Sequence, residues 1–459
     1  MTRTLLGGSP VQRLRLLSRH LAPLSRSSTS PFPTPTTSRS SLLLRRSLAS
    51  SSAAADSAAA ASTTWTFTTS AAFHGKPVSR SRRSGPEGTT TSSTDSDHPS
   101  RSRRHSVQQG LAPDHPLCKW RDQHLAEGKA PKEIGAGHDW WFVEGVPSSA
   151  AAAGGGTRGV VLGVADGVGG WEDSGVDPSH FAQALMWFAR ERVRTQDWKW
   201  PTEAASKSAE RLKDLLDGAF RDVSNEKGIV AGSSTACLAL LDAETGMFHA
   251  ANLGDSGFFI LRPKAIESVP VPPSSPASEN STPPPPPPPT PAVTYSVVHA
   301  QEPQVHFFNA PRQLSKIPAS ELERAGGGEG NWLIDRPKDA DTFSLQLEDG
   351  DVVMLFTDGY SDNVWPSGET DRLLELVRSR VDAAATRPAE EDGGSAGGDD
   401  KELAASIAQT AVTFARMIAV RPDVYTPFAA ESKRWQVKGM ERGGKVDDVT
   451  VVVGVVRKE

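Results

Sequence analysis

Asp139, Asp166, Asp255, Asp358, Asp362, Asp447 and Asp448 follow one pattern: each stands at or near the end of a short apolar run, usually close to a glycine. Asp139 opens "DWWFV" and Asp166 closes "VVLGVA". Asp255 sits in "LGDSG", Asp358 follows "VVMLFT" with Asp362 shortly after, and Asp447 and Asp448 precede "VTVVVGVV". A single Asp-Gly pair is an ordinary turn dipeptide. The repetition carries more. If these runs are neighbouring strands, their ends share an edge and the carboxylates converge. Converging carboxylates repel one another unless a cation lies between them. All-oxygen donors suit magnesium or manganese better than zinc or copper. Two such ions can share a water, lower its pKa and aim it at a phosphorus atom. Glycine after Asp166 lets the backbone come close, which makes the Gly167 carbonyl a further candidate ligand.

The elements that must hold these residues are legible in outline. "GVVLGVA" is Val-rich, glycine-bounded and too short for a helix, and so reads as a buried strand. "HFAQALMWFARERV" and "AASKSAERLKDLLDGAFRDV" place apolar residues at helical intervals. "STACLALLD", "MFHAANLGD" and "GFFILR" read as an antiparallel meander. Helical patterns return in "DRLLELVRSRV" and "ELAASIAQTAVTFARMIA". Strands first and last, with helix pairs between, predict an α+β domain of layered antiparallel sheets. Residues 270–291 are proline-rich; polyproline cannot pair in a sheet, so they read as a surface insertion, with a proline-reading partner as a secondary reading. Residues 388–400 read as an acidic, Gly-rich loop.

Six motifs occur in order: "GVADGVGGW", "GSSTACLALLD", "ANLGDSG", "FNAPRQLS", "FTDGYSDNV" and "GGKVDDVTVVV". Together they resemble the metal-dependent type 2C serine/threonine protein phosphatases, the PPM family. The resemblance is closest to its mitochondrial branch, which has "ADGVGGW" where other members have Asp-Gly-His. It spans residues 130–457 and implies a four-layer αββα sandwich, two antiparallel sheets flanked by helix pairs, with the metal site at one edge. It implies two Mn2+ or Mg2+ ions and phosphoprotein substrates. Residue by residue, it puts Asp166 as the carboxylate bridging both ions and the Gly167 carbonyl on one of them. Asp358 and Asp447 take the other direct positions, so Asp166, Asp358 and Asp447 form the implied catalytic set. Asp448, counted with the metal residues, stands where many members have Asn. Asp139 matches the upstream acid that holds the second ion, largely through water. Asp255 and Asp362 match the place where some members bind a third, weaker ion.

Two departures stand out. Val168 occupies the position of a histidine proposed as general acid, and Ile134 that of the arginine that grips the substrate phosphate. Lys132 and Arg312 are the candidate replacements for the arginine, and His138 is close enough in sequence to be considered as well. Two other readings stay open: a catalytically weak scaffold of the same fold, and a metal-dependent phosphatase of small phosphorylated metabolites.

The rest of the chain bounds the setting. Its 459 residues carry a net charge of −5 with the signs mixed, which argues against a general nucleic-acid binder. Cys118 and Cys237 have neither zinc nor disulfide-framework spacing and suit a reducing compartment. No apolar run is long enough to span a membrane. Residues 1–50 contain eight arginines and no Asp or Glu, and "VQRLRLLSRHL" can form an amphipathic helix. That composition is the signature of a transit peptide, with the mitochondrion ahead of the plastid and an unaddressed basic tail as the alternative. Residues 51–115, rich in Ser, Thr, Pro, Ala and Arg, read as a disordered linker.

Overall fold

The apolar runs become strands and the helical patterns become helices in the computed structural model, which describes residues 64–77, 110–127, 135–147, 157–200, 205–265, 293–324, 332–366 and 396–459. The strands are β1 (Trp65–His74), β2 (Asp139–Pro147), β3 (Thr157–Asp166), β4 (Gly232–Ser234), β5 (Ala236–Asp242), β6 (Met247–Leu253), β7 (Gly257–Ala265), β8 (Val293–Ala300), β9 (Val305–Phe307), β10 (Ala310–Pro311), β11 (Leu314–Lys316), β12 (Asp341–Gln346), β13 (Val352–Phe356) and β14 (Val449–Lys458). The described helices are α1 (Pro116–Glu127), α2 (Pro178–Arg194), α3 (Ala205–Asn225), α4 (Ala319–Arg324), α5 (Asp358–Ser361), α6 (Ala396–Ala419) and α7 (Pro427–Arg434).

Two five-stranded sheets, ordered β12-β6-β5-β3-β2 and β1-β14-β13-β7-β8, form the middle of the domain. Every pairing within them is antiparallel. Their facing side chains share one core: Leu162, Leu238 and Phe248 of the first sheet cluster with Ile260, Val353, Leu355 and Val452 of the second. The same cluster takes in Phe181 and Leu185 of α2 and Leu212 and Leu216 of α3, which cover the outer face of the first sheet. A second cluster joins Met354, Val451 and Val453 to Ala408, Ala411 and Val412 of α6 on the outer face of the other sheet. Strands buried on both faces must be apolar at every position rather than at alternate ones. That is why "VVMLF" and "ACLALL" are continuous runs. Helix α2 starts where Asp177 accepts a hydrogen bond from the Ser179 N–H at 2.9 Å, with Pro178 in the first turn. The expected αββα layering is therefore observed. The helical pattern at 371–381 lies outside the described residues.

Three expectations are corrected. The linker expected over 51–115 contains β1, which pairs with β14 from Trp65 opposite Lys458 to His74 opposite Val449. "WTFTTSAAF" is rich in aromatic and β-branched residues, and it covers an edge of β14 that would otherwise be unpaired. The meander breaks after β6: β7 pairs with β13 and β8 in the other sheet, because the "LGDSG" turn carries the chain from one layer to the next. The acidic loop at 388–400 gives way to α6 from Ala396, and Asp400 pairs with Arg457 at 2.6 Å. The proline-rich segment 270–291 lies outside the described residues, and its flanking residues Ala265 and Val293 are register partners at the ends of β7 and β8. No helix among the described residues is long and apolar enough to cross a membrane, and Cys118 and Cys237 are buried and free.

The reassignment of β1 is testable. Trp65 is buried, its N–H donates to the Ala243 carbonyl at 3.1 Å, and its ring lies 5.3 Å from Lys458 Nζ. Trp65→Ala should destabilise the domain by about 3 kcal/mol in urea unfolding, as large-to-small core changes do. A residue in a solvated linker would leave the midpoint unmoved.

Candidate metal centre

Antiparallel pairing gathers the acidic residues. β2 starts and β3 ends at the same edge, where Asp139 and Asp166 are register partners. β13 arrives at that edge with Phe356 opposite Val451, so Thr357 and Asp358 follow it there, while Asp447 and Asp448 lead into β14 beside them. The β6–β7 turn brings Asp255. Carboxylate oxygens of Asp166, Asp255 and Asp358 all lie within 4.8 Å of one another. The Asp166 main chain is clamped: its N–H donates to Thr235 Oγ1 at 3.0 Å, and its carbonyl accepts from the Thr235 N–H at 3.0 Å and Ser234 Oγ at 2.8 Å. Gly167 has a packing reason to be glycine, since a Cβ there would lie 2.4 Å from the Pro178 carbonyl oxygen at the start of α2.

Burial sets the electrostatics. It pushes the carboxyl of Asp166 well up from its ordinary value, and the neighbouring charges of Asp358, Asp139 and Asp447 push further. Burial likewise raises Asp139, with Asp448 adding to it and a hydrogen bond from Thr357 opposing. Asp255 is raised by burial and then by Asp358. Asp358 is also raised, and Asp362 is pushed up to about 7, both by burial first and against the pull of Lys445. Thr357 Oγ1 donates to Asp139 Oδ2 at 2.6 Å and accepts from the Thr450 N–H at 3.0 Å, which orients the buried carboxylate. The other oxygen, Asp139 Oδ1, and Asp255 Oδ1 are buried with no hydrogen-bond partner among the described residues. Orphaned buried oxygens in an all-carboxylate cluster are what a hard divalent cation requires, so the residues present fit magnesium or manganese.

Among the described residues, two lysines enter this cluster. Lys445 Nζ contacts Asp358 Oδ2, lies 2.7 Å from Asp362 Oδ2 and 3.1 Å from Asp447 Oδ2. Lys76, just past β1, lies 3.0 Å from Asp447 Oδ1 and 3.3 Å from Asp448 Oδ2. Burial opposes ionisation of Asp447, but Lys445 and Lys76 together hold its carboxyl below the usual value. Both lysines are raised against the cost of burial, Lys445 chiefly by Asp358 and Lys76 chiefly by Asp447.

Of the expected metal residues, Asp139, Asp166, Asp255, Asp358, Asp362 and Asp447 do come together. Asp448 adjoins them, beside Asp139 and Lys76. Its Oδ1 accepts the Lys76 N–H at 2.7 Å and its Oδ2 accepts the His138 N–H at 2.9 Å, so both oxygens tie backbone segments. Gly137, at φ +64°, leaves space for that clamp, because a Cβ would fall 1.8 Å from Asp448 Oδ1. The Arg312 side chain has its Nη1 3.5 Å from the Asp339 carbonyl, and its charge acts on Asp335. Lys132 and Ile134 lie outside the described residues. His138 is beside the cluster, with Nε2 3.1 Å from Glu172 Oε1 and Nδ1 3.4 Å from Lys76 Nζ. Val168 donates its N–H to the Ser233 carbonyl at 3.0 Å.

Sequence reasoning missed Lys76, Lys445 and Thr357. Lys445 and Thr357 sat inside the motifs "GGKVDD" and "FTDG", whereas Lys76 was hidden by treating the strand before it as linker. The clamp yields a prediction. Asp448→Ala leaves two half-buried N–H groups without this acceptor, at about 1 kcal/mol each. It should lower stability in denaturant unfolding and loosen Lys76. An unchanged unfolding midpoint would contradict the clamp.

Comparisons with known proteins identify the family. No family model matches the chain. The chain is 32% identical over 296 residues to the protein phosphatase PTC7 homolog of Xenopus laevis, covering 64% of this chain and 76% of that one. It is 31% identical over 297 residues to the human protein phosphatase PTC7 homolog, covering 64% and 75%. Among solved structures, the photosystem II phosphatase PBCP aligns over 72% of this chain and 94% of its own, at 21% identity and a TM-score of 0.42. With the carboxylate cluster in place and relatives at this identity over this length, the chain belongs to the PPM family of protein serine/threonine phosphatases, on the branch of the PTC7 homologues.

Proposed function

We propose that this chain removes phosphate from phosphoserine and phosphothreonine on mitochondrial proteins, with two Mn2+ or Mg2+ ions held by Asp139, Asp166, Asp255, Asp358 and Asp447. The observation that carries the reading is the convergence of Asp166, Asp255 and Asp358 oxygens within 4.8 Å, with orphaned carboxylate oxygens beside them. When bound, the ions supply an activated water and neutralise charge on the phosphoryl group.

The chain's own residues do the positioning. Thr357 fixes the Asp139 carboxylate, and the Ser234–Thr235 clamp fixes the backbone at Asp166. Lys76 stands at the solvent side of the cluster, with its side chain 34% exposed, and orients the phosphate dianion in place of an arginine. Its contact with Asp447 holds the ammonium at the rim until substrate arrives. Val168 carries no proton to give, so the leaving oxygen receives none from this side chain. The mitochondrial assignment is supported by the Arg-rich, acid-free residues 1–50.

Turnover of a phosphothreonine peptide with saturating manganese tests the assignment. Asp166→Asn should reduce kcat by about 1,000-fold or more while the fold is kept, since removing one carboxylate from this crowded site relieves repulsion. Lys76→Met should raise KM and the inhibition constant for inorganic phosphate by about 10-fold, the scale of one charge-assisted contact, with Lys76→Arg recovering part of it. Normal turnover in Asp166→Asn would refute the centre. A Lys76→Met variant with unaltered phosphate inhibition would refute the role of the lysine.

Targeting is checked separately. Residues 1–60 fused to a fluorescent protein should carry it into mitochondria, and a diffuse cytosolic signal would count against the address.

A further inference from the structure

We propose that Lys445 is a built-in cation standing where a third divalent ion would otherwise sit, so that the cluster takes two ions and not three. The inference rests on the two-ion reading above and adds to it the residue that sets the ion count.

The geometry is specific. An ammonium group has three N–H donors. Those of Lys445 are met by three separate carboxylates: Asp358, Asp362 at 2.7 Å and Asp447 at 3.1 Å. The contact with Asp358 and Asp362 is the decisive one, because an ion between those two carboxylates would occupy the position of Nζ.

Lys445 is not a mobile surface side chain that happens to reach inward. Its side chain is 14% exposed, and Nζ lies 5.6 Å from the centre of the Phe428 ring. Its main chain is held by a reciprocal pair: the Lys445 N–H donates to Asn363 Oδ1 at 2.9 Å, and Asn363 Nδ2 donates to the Lys445 carbonyl at 2.9 Å. Asn363 is itself buried and also donates to the Gly359 carbonyl at 2.9 Å. Asn363 follows Asp362 directly, so one amide side chain ties together two segments that carry the carboxylates.

Charge balance points the same way. Asp139, Asp166, Asp255, Asp358, Asp362, Asp447 and Asp448, set against Lys76 and Lys445, leave five formal negative charges. Two divalent ions reduce this to one negative charge, and a third would make the buried centre positive. Without Lys445 there are six negative charges, which three divalent ions would neutralise. A fixed ammonium also repels any incoming cation at its own position. The lysine therefore does continuously what a weakly held ion would do only at high concentration: it neutralises Asp362 and the outer oxygens of Asp358 and Asp447. By holding those oxygens, it positions the two aspartates that serve the remaining ions.

The experiment counts ions rather than turnover. Metal-free full-length protein is dialysed to equilibrium against Mn2+, and bound manganese is measured by atomic emission. The wild type should bind two ions and Lys445→Met three, whereas Lys445→Arg should stay at two. Metal-free Lys445→Met should also unfold at a lower temperature than metal-free wild type, with the difference shrinking as manganese is added. A second arm does not depend on that variant folding. Asp362→Asn should still bind two ions, because the lysine and not an ion uses that carboxylate. Three ions in the wild type, an unchanged count in a folded Lys445→Met, or loss of an ion in Asp362→Asn would each overturn the proposal. A wild type that binds no manganese would overturn the two-ion reading itself, and this inference with it.

Discussion

Carboxylates crowded at a buried sheet edge repel one another, and much of the structure around them exists to hold them there. Burial and proximity raise the proton affinity of Asp139, Asp166, Asp255 and Asp358 together. The chain compensates with fixed donors at several of these oxygens. Thr357 takes one oxygen of Asp139, Lys445 takes one oxygen each of Asp358, Asp362 and Asp447, and the main chain takes both oxygens of Asp448. What remains, among the described residues, are buried oxygens without a protein partner, where a divalent cation is the natural counter-charge.

The sandwich makes that compensation rigid. β13 and β14 are adjacent in the second sheet, so residues leaving one and entering the other lie side by side. β1 closes the outer edge of β14 and in doing so delivers Lys76 to Asp447. The first sheet contributes Asp139 and Asp166 from the two strands at its own end. A ligand set drawn from both sheets can hold its spacing only if the layers cannot slide. The shared core of Leu162, Leu238, Phe248, Ile260 and Val353 supplies that resistance.

Asp351 shows why position along a strand matters as much as residue type. It too abuts an apolar strand, at the start of β13, and is fully buried. Arg262 satisfies it with two hydrogen bonds, of 2.9 Å and 2.8 Å, and the Glu348 N–H adds a third at 2.8 Å. An Asp paired in this way asks for no metal. Asp351 and Asp358 bracket the same strand; one ends in a closed ion pair and the other in a cluster with unmet charge.

The sequence by itself determined a good deal. Continuous apolar runs marked strands buried on both faces, and the 3.6-residue patterns marked α2, α3 and α6, because those periods follow from local backbone geometry. Strand-end aspartates in an ordered series of motifs marked the carboxylate cluster and the family. Local patterns could not say which sheet β7 joins, since a turn of the same composition serves a hairpin or a crossover. They also could not show that the Asp448 oxygens accept from Lys76 and His138, residues more than 300 positions away in the chain. Tertiary structure alone decided that β1 belongs to the domain and that Lys76 and Lys445 reach the carboxylates. The physical reason is common to all of these. Charge compensation and edge pairing act between groups close in space and far apart in sequence, so their partners are fixed only when the two sheets close on one another.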